Sequence, residues 1–463
     1  MEGDVASLLN RAKKIAEIIR NANEIHIVTH IDADGVAAGA IAANVLERIN
    51  KDFSIEFVKQ LDNNLLEELE KEQYELVWFT DMGSSIADYK GINKVITDHH
   101  LCSKDSDHSF HLNPHLFGLD GSMEISGAGV TYLVAKKLCQ DCRDLSSLAI
   151  VGACGDLQDV KYCKLQSLNR KIVEEGEQTG ILKKQIDIRY FGRETRPLYK
   201  LLQFATDPLI PGLTGREDAC ISFLNECKIP LKDGDNWRRW IDLSIKEKRM
   251  IISEIIKLLL IKGFGYNIAT RVIGEVYLLA KEEEGTELHD AKEFATMLNA
   301  TARYGEPEVG LNVCLGDRDK WFKKARNLLR NHRQNLVEGL QLAREEGIVE
   351  REFLQFFHAG EGIKDTIIGI VTGMMLNSGE INTNLPLIGF ANTENGNVKA
   401  SARARRELVD RGLNLSVAMR NAAEALNGVG GGHSVAAGAT IPKGKEEEFL
   451  EILEKEIKNQ LSL

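Results

Sequence analysis

Four short clusters in the first third of the chain carry residue types suited to metal-dependent hydrolysis. They are His30-Ile31-Asp32-Ala33-Asp34-Gly35, the single Asp81, Asp98-His99-His100, and Asp156. Carboxylates and imidazoles cannot crowd one cleft without cations, because buried charge left unpaired is very costly. Convergence of the clusters would therefore demand metal. Oxygen-rich sets that include imidazole favour Mn2+ or Mg2+, whereas zinc prefers more nitrogen or sulfur. The set is large enough for a pair of ions about 3.5–4 Å apart that share a carboxylate and stabilise charge building on phosphoryl oxygens. The predicted cofactors are two divalent ions, Mn2+ ahead of Mg2+, and the predicted chemistry is phosphoester hydrolysis. Taken singly each cluster has a plainer reading. Asp34-Gly35 alone is a turn, and His99-His100 alone a surface pair.

Each cluster falls where a hydrophobic strand ends or a helix begins, which is where a parallel α/β sheet places its ligand-binding residues. Val5, Leu8, Leu9, Ala12, Ile15 and Ile19 recur at helical spacing over residues 5–21. Glu24–Thr29 reads as a strand ending at His30, with Gly35 expected to allow a tight turn into an Ala-rich helix, Val36–Ile49. Phe53–Val58, Leu76–Thr80 and Lys94–Thr97 read as further strands, the last two ending at Asp81 and Asp98. Ser126-Gly127-Ala128-Gly129 opens a helix through Leu138, and Leu145–Cys154 is another, closed by Gly155-Asp156.

The βα rhythm stops after residue 190. Residues 195–290 carry helical runs such as Met250–Lys262 together with Trp237 and Trp240, and read as an inserted, mostly helical module. Asp317–Glu346 reads as one long charged helix; about 30 residues of helix span about 45 Å, suited to linking two lobes. Alternation returns from residue 350, with strands expected at Thr366–Thr372, Leu385–Phe390 and Val398–Ala402 and a helix at Leu415–Leu426. The glycine-rich Gly428-Val429-Gly430-Gly431-Gly432-His433 follows, then a small-residue strand, Ser434–Ile441. Successive glycines let backbone N–H groups approach a phosphate, and Arg403 beside Ser401 offers a bidentate fork to its oxygens.

No stretch reaches the roughly 20 uninterrupted apolar residues of a membrane span, so no membrane partner is expected. Early acidic residues, Glu2 and Asp4, without an apolar core to follow predict no secretory signal and a cytoplasmic location. Only Cys139-Gln140-Asp141-Cys142 has metal-like cysteine spacing, and with no second pair reduced thiols are expected. The net charge of −11 argues against coating nucleic acid by bulk electrostatics but leaves room for local basic grooves. Candidates are Lys320, Lys323, Lys324, Arg326, Arg330 and Arg333, and Lys399, Arg403, Arg405, Arg406 and Arg411. His108, His111 and His115 read as loop histidines more readily than as another metal cluster.

In order and spacing the H-x-D-x-D-G, D, D-H-H and G-D elements resemble the DHH phosphoesterase superfamily, which includes RecJ nucleases. The resemblance implies that His30, Asp32 and Asp81 bind one ion and that Asp34, Asp81, His99 and Asp156 bind the other, with Asp81 bridging. It makes Asp98 a group that orients a ligand imidazole, and His100 a contact to the scissile phosphate that assists the leaving group. Ser401-Ala402-Arg403 and Gly430-Gly431-Gly432-His433 resemble the phosphate-binding elements of the DHH-associated C-terminal domain. Asn299-Ala-Thr-Ala-Arg303-Tyr-Gly resembles a substrate-contacting element of RecJ-type nucleases, with Ala302 in place of the usual glycine. Asn299 and Arg303 are the substrate-binding candidates there, and Tyr304 and Phe390 candidate stacking aromatics.

The implied fold is α/β and bilobal. A parallel-sheet catalytic domain (1–194, resumed at 291–316) is interrupted by the helical insertion (195–290), and a linker helix (317–349) leads to a smaller α/β substrate-binding domain (350–463). Length and insertion look most like archaeal RecJ-like proteins, including the GINS-associated nuclease. The implied activity is hydrolysis of single-stranded DNA or RNA from an end to mononucleotides, with GINS and the replicative helicase as candidate partners. Two alternatives stand beside it: a phosphodiesterase for short oligonucleotides or cyclic dinucleotides, and a GINS-binding replication scaffold.

Overall fold

The computed structural model describes residues 4–461 apart from 104–106 and 379; Glu2 lies outside the described residues. Helix α1 (Val5–Asn21) starts where the Asp4 carboxylate accepts the Ser7 N–H, and it buries Leu8, Ala12, Ile15 and Ile19. Strand β1 (Glu24–His30) follows and leads into α2 (Ala33–Arg48), which is buried along most of its length. Then come β2 (Asp52–Val58), α3 (Asn63–Glu72), β3 (Leu76–Thr80), β4 (Lys94–Thr97) and β5 (His111–Leu112). The five strands form one parallel sheet in the order β2-β1-β3-β4-β5. Strand β3 is buried at every position, as a strand covered on both faces must be. Helices α4 (Gly127–Leu138), α5 (Ser146–Gly155) and α6 (Ser167–Gln178) pack with α2 in the same core.

Gly35 does not make a turn. It lies in the first turn of α2 with Asp32 as N-cap, and a Cβ at this position would collide with the His30 carbonyl. Its role is close approach of helix to strand end.

Strand β6 (Leu182–Ile188) pairs antiparallel with β9 (Ile273–Leu279), so the chain between them leaves and returns at neighbouring strands. Between them lie α7 (Leu198–Gln203), α8 (Glu217–Glu226), the small hairpin β7 (Lys232–Asp233) and β8 (Asn236–Trp237), α9 (Ile245–Ile261) and α10 (Tyr266–Ala269). They enclose a core of their own around Trp240, Leu201, Leu224, Ile251 and Ile255. Helices α11 (Ala291–Arg303), α12 (Pro307–Cys314) and α13 (Lys320–Glu346) follow.

The chain divides into two compact units, residues 1–329 and 330–463. The second contains β10 (Val349–Glu350), β11 (Gln355–His358), α14 (Ile368–Asn377), β12 (Leu387–Asn392), β13 (Asn397–Arg403), α15 (Arg406–Asp410), α16 (Leu415–Glu424), β14 (Val429–Gly432), β15 (Ala436–Pro442) and α17 (Glu446–Leu461). Its sheet runs β10-β11-β12-β13-β15-β14. The strand expected at Thr366–Thr372 is instead the start of α14. Its β-branched run favours a strand locally, but Ile368, Val371, Thr372 and Met375 recur at helical spacing and pack inward. The glycine cluster is an edge strand rather than an open loop, with Gly430, Gly431 and Gly432 opposite Ala439, Gly438 and Ala437. Among the described residues no helix is long and apolar enough to cross a membrane, and all eight cysteines are free thiols.

Candidate metal centre

Five element ends, three of them strands of the parallel sheet, aim the acidic clusters at one point. The end of β1 delivers His30, and the α2 N-terminus delivers Asp32 and Asp34. The ends of β3 and β4 deliver Asp81 and the Asp98–His100 segment, and the C-terminal cap of α5 delivers Asp156. Within unit 1 these side chains fall into groups with ligand atoms no more than 4.8 Å apart: His30 with Asp32 and Asp81, Asp34 with His99 and Asp156, and Asp81 with His99 and His100.

Asp81 is the junction. It is 1% exposed, holds the left-handed φ of 58° that non-glycine residues seldom adopt, and fixes its backbone by donating its N–H to the Thr97 carbonyl at 2.8 Å. Its carboxylate lies 3.8 Å from His30 Nδ1 on one side and 3.2 Å from His99 Nε2 on the other. Both oxygens are buried, and neither has a hydrogen-bond partner among the described residues. A Cβ at Gly127 would strike this carboxylate, and one at Gly152 would strike that of Asp34. Sequence reading missed both glycines as site residues; the small-residue entries Ser126–Gly129 and Gly152–Gly155 were the available signal.

His99 donates its Nδ1–H to the Gly121 carbonyl at 2.7 Å. That leaves Nε2 facing Asp81 and Asp156, each at 3.2 Å, and Asp34 at 3.7 Å. A neutral imidazole there turns its lone pair toward carboxylate oxygens, an arrangement that a cation in their midst would satisfy. Asp34 accepts the N–H groups of Gly127 and Ala128 at 2.6 and 3.0 Å, so the N-terminus of α4 steadies it. Asp32 caps α2 by accepting the Gly35 N–H and lies 3.0 Å from His30 Nδ1.

The charge balance is adverse for bare carboxylates. Burial, then Asp34 and Asp32, pushes Asp81 well above the ordinary carboxylate range. Burial and Asp34 lift Asp156 to about 7, and burial raises Asp34. Burial opposes ionisation of Asp32, but the His30 ring brings it down to about 2. Buried acids that meet no protein cation but histidine among the described residues fit divalent metal, and oxygen with imidazole is the donor set of Mn2+ or Mg2+.

Asp98 behaves differently. It accepts the N–H groups of His99, His100 and Ser84, and its Oδ1 takes the His100 Nδ1–H at 2.8 Å. It therefore orients the exposed His100 ring, not the His99 imidazole that sits among the acids. His100 is raised by this bond to Asp98. Ser84 is a further residue that the sequence reading did not single out.

Asn299 and Arg303 lie four residues apart on α11. Asn299 Oδ1 accepts the Ala33 N–H at 3.0 Å, and the half-buried Arg303 feels the Asp32 charge. Ala302 is helical and buried, so no glycine conformation is needed there. Tyr304 caps α11 and is half-buried.

In unit 2, Ser401 lies between Gly389 and Gly438 in register, and Arg403 lies opposite Ala436. Gly369 of α14 approaches both Ser401 and Arg403 so closely that a Cβ would crowd them. Gly431 continues this row beyond Gly438, Gly432 has a φ of 135° that suits glycine alone, and His433 opens the turn back to Ala436. Phe390 is a core residue, stacked on His358 and edge-on to Phe449, and is not available to a base. Lys323, Lys324 and Arg326 pair with Asp319, Glu306 and Glu287, and Arg406 pairs with Asp410. His111 bonds Ser84 and His108 bonds Asp88, so these rings serve local structure.

Family comparison agrees with this architecture. The DHH family N-terminal domain matches residues 24–153, the DHH-CID domain 190–273 and the DHHA1 domain 352–459. An uncharacterised protein of Methanocaldococcus jannaschii is 35% identical over 455 residues, covering 96% of each chain. The chain belongs to the DHH superfamily. This DHH protein is also 24% identical over 228 residues to the Bacillus subtilis prophage protein YorK, named as a single-strand DNA-specific exonuclease, covering 44% of this chain and 38% of YorK. In fold it is similar to Thermus thermophilus RecJ in complex with Mn2+ (TM-score 0.59, 19% identity, 99% of this chain and 55% of that one). It is similar too to CDC45 of Entamoeba histolytica (TM-score 0.64, 14% identity, 98% of each chain). The DHH protein thus spans about half the length of the Thermus RecJ chain. Its fold is that of a DHH phosphoesterase.

Proposed function

We propose that this protein is a metal-dependent exonuclease that hydrolyses phosphodiester bonds of single-stranded DNA or RNA to mononucleotides, in replication or repair. The observation that carries the reading is Asp81, a buried carboxylate with no hydrogen-bond partner, at the junction of two ligand groups. His30, Asp32 and Asp81 would hold one divalent ion, and Asp34, Asp81, His99 and Asp156 the other. Such ions supply positive charge for the phosphoryl oxygens and make water acidic enough to attack.

The chain's own groups do the rest. The α4 N-terminus and the Gly121 carbonyl hold Asp34 and His99 in place. Asp98 keeps a proton on His100 Nδ1 and leaves its other nitrogen facing solvent, where it would meet the scissile phosphate and serve the departing oxygen. Arg303, and in the second unit Ser401, Arg403, Gly430–Gly432 and His433, would bind substrate phosphates. Support for a single-stranded substrate comes from YorK's name, and for Mn2+ or Mg2+ from the donor set. GINS and the replicative helicase are the proposed partners, and the cytoplasm the proposed location.

The likeness of fold to CDC45 favours a second reading, a replication scaffold. The complete ligand set speaks for catalysis instead. Timed digestion of 5′- and 3′-labelled single-stranded DNA and RNA with Mn2+ tests the proposal, with a length series alongside. Mononucleotides released stepwise from thirty-mers are expected. Preference for dimers to pentamers would replace it by a short-oligonucleotide phosphodiesterase, and no cleavage at all by the scaffold.

A further inference from the structure

The metal-ligand candidate Asp156 sits at the head of a strap, residues 157–163. Leu157 and Cys163 both adopt left-handed conformations, with φ of 58° and 56°. Leu157 does so as the residue after the C-cap of α5, where its N–H reaches the Cys154 carbonyl at 3.2 Å and the Gln158 N–H reaches the Ala153 carbonyl at 3.0 Å. Other elements then hold the strap. Gln158 donates to the Gly121 carbonyl at 2.9 Å, the same oxygen that fixes His99, and Asn169 donates to Gln158 at 2.6 Å. Lys292 lies 2.6 Å from the buried Asp159.

The far half of the strap is held from the inserted segment. Arg271 donates through Nη2 to the Val160 carbonyl at 3.1 Å and through Nη1 to the Lys161 carbonyl at 3.2 Å. The same guanidinium is gripped by Asp207, from Nε at 3.0 Å and Nη2 at 2.8 Å, and Arg189 adds a second cation to Asp207 at 3.3 Å. The Glu275 N–H closes the row on the Cys163 carbonyl at 2.9 Å. Only a planar guanidinium meets a carboxylate side-on while its remaining N–H groups reach two successive carbonyls; a lysine is a single point of charge. Asp207 and Arg271 both lie within the segment matched as DHH-CID.

We infer that Arg271, oriented by Asp207, is a positioning residue for Asp156, and that the inserted domain thereby sets the affinity of the ion site formed by Asp34, His99 and Asp156. The inference rests on the metal reading above and adds to it a route from insertion to ligand. Loosening the clamp frees the far half of the strap, which continues the chain from Asp156.

Mn2+ binding to the full chain, followed by the electron paramagnetic resonance of free Mn2+, tests it in wild type, Arg271→Lys, Asp207→Asn and Asp156→Asn, with thermal melting of each. Both clamp variants should weaken one of the two ions about tenfold, the range for lost outer partners of metal ligands. The weakened ion should be the one that Asp156→Asn loses, and the other should stay within about twofold of wild type. Raising Mn2+ about tenfold should restore kcat with KM unchanged, which general loosening of the fold would not allow. Equal weakening of both ions, or of neither, in a variant that melts like wild type overturns the inference. Should Arg271→Lys fail to fold, Asp207→Asn alone decides. A wild-type protein that takes up no Mn2+ would instead refute the metal reading itself.

Discussion

Carboxylates are buried in two regions of the first unit, and the two regions treat them in opposite ways. Where the segment between β6 and β9 meets the rest of the unit, Asp187 accepts from the Trp240 indole at 2.9 Å and from the buried Arg193 at 3.3 Å, with Lys248 at 3.6 Å. Arg193 also reaches Asp290 at 2.9 Å, whose other oxygen caps α11. In the acidic cluster, among the described residues, Asp81 has no protein cation other than nearby histidines, and no hydrogen-bond partner for either oxygen. A buried acid that the fold already satisfies is architecture. One that the fold leaves unsatisfied, beside other acids and an imidazole whose Nε2 faces them, is a socket for a cation.

Four experiments would break or sharpen that contrast. The largest effect is expected from Asp81→Asn, which should lower turnover by more than about 1,000-fold because it removes a group common to both ligand sets. Retention within about tenfold in single-turnover kinetics would contradict the bridging role. Next is Arg193→Met, which strands two buried carboxylates and should cost about 3–5 kcal/mol in urea unfolding. A change below about 1 kcal/mol would mean that the network is not the structural counterpart drawn here.

A smaller effect has the opposite sign. Asp156 titrates near 7 and Asp81 and Asp34 are also raised, so in metal-free protein these groups favour folding only while protonated. That contribution is whole below the ordinary carboxylate pKa of about 4 and is lost as pH climbs through about 7. In EDTA the unfolding free energy should therefore fall between pH 5 and pH 8, and Asp156→Asn should remove about 2 kcal/mol of that fall. A variant that melts with the same pH slope as wild type would refute the charge balance. The smallest effects belong to unit 2. Arg403→Ala and His433→Ala should raise KM about tenfold with kcat within about twofold, and an unchanged KM in both would remove the substrate role of that face.

Much of the site could be read in the sequence because its residues sit at element ends marked by short hydrophobic strands. Strand β1 matches the apolar run before His30, and β3 and β4 match those before Asp81 and Asp98. What escaped was set by packing at a distance. The β-branched stretch Thr366–Thr372 looks like a strand locally, yet it begins α14, where Gly369 and Gly373 let the helix lie close to Arg403. The glycine run before His433 looks like a loop until β15 supplies its hydrogen-bonding partner. Phe390 is apolar in either role, and only the fold places it among Phe356, His358 and Phe449. The small-residue runs around Gly127 and Gly152 mark close packing, but the carboxylates that approach them come from other elements.

Calorimetric Mn2+ titration of metal-free wild type and Asp81→Asn, run at pH 6.5 in two buffers of different ionisation heat, tests the central claim most directly. Wild type should take up two ions and release protons as it does, because carboxyls protonated in the metal-free state must ionise to bind. Asp81→Asn should lose the paired uptake and most of the proton release. A wild-type protein that binds no Mn2+, or an Asp81→Asn variant that binds both ions with the same proton release, would contradict the account.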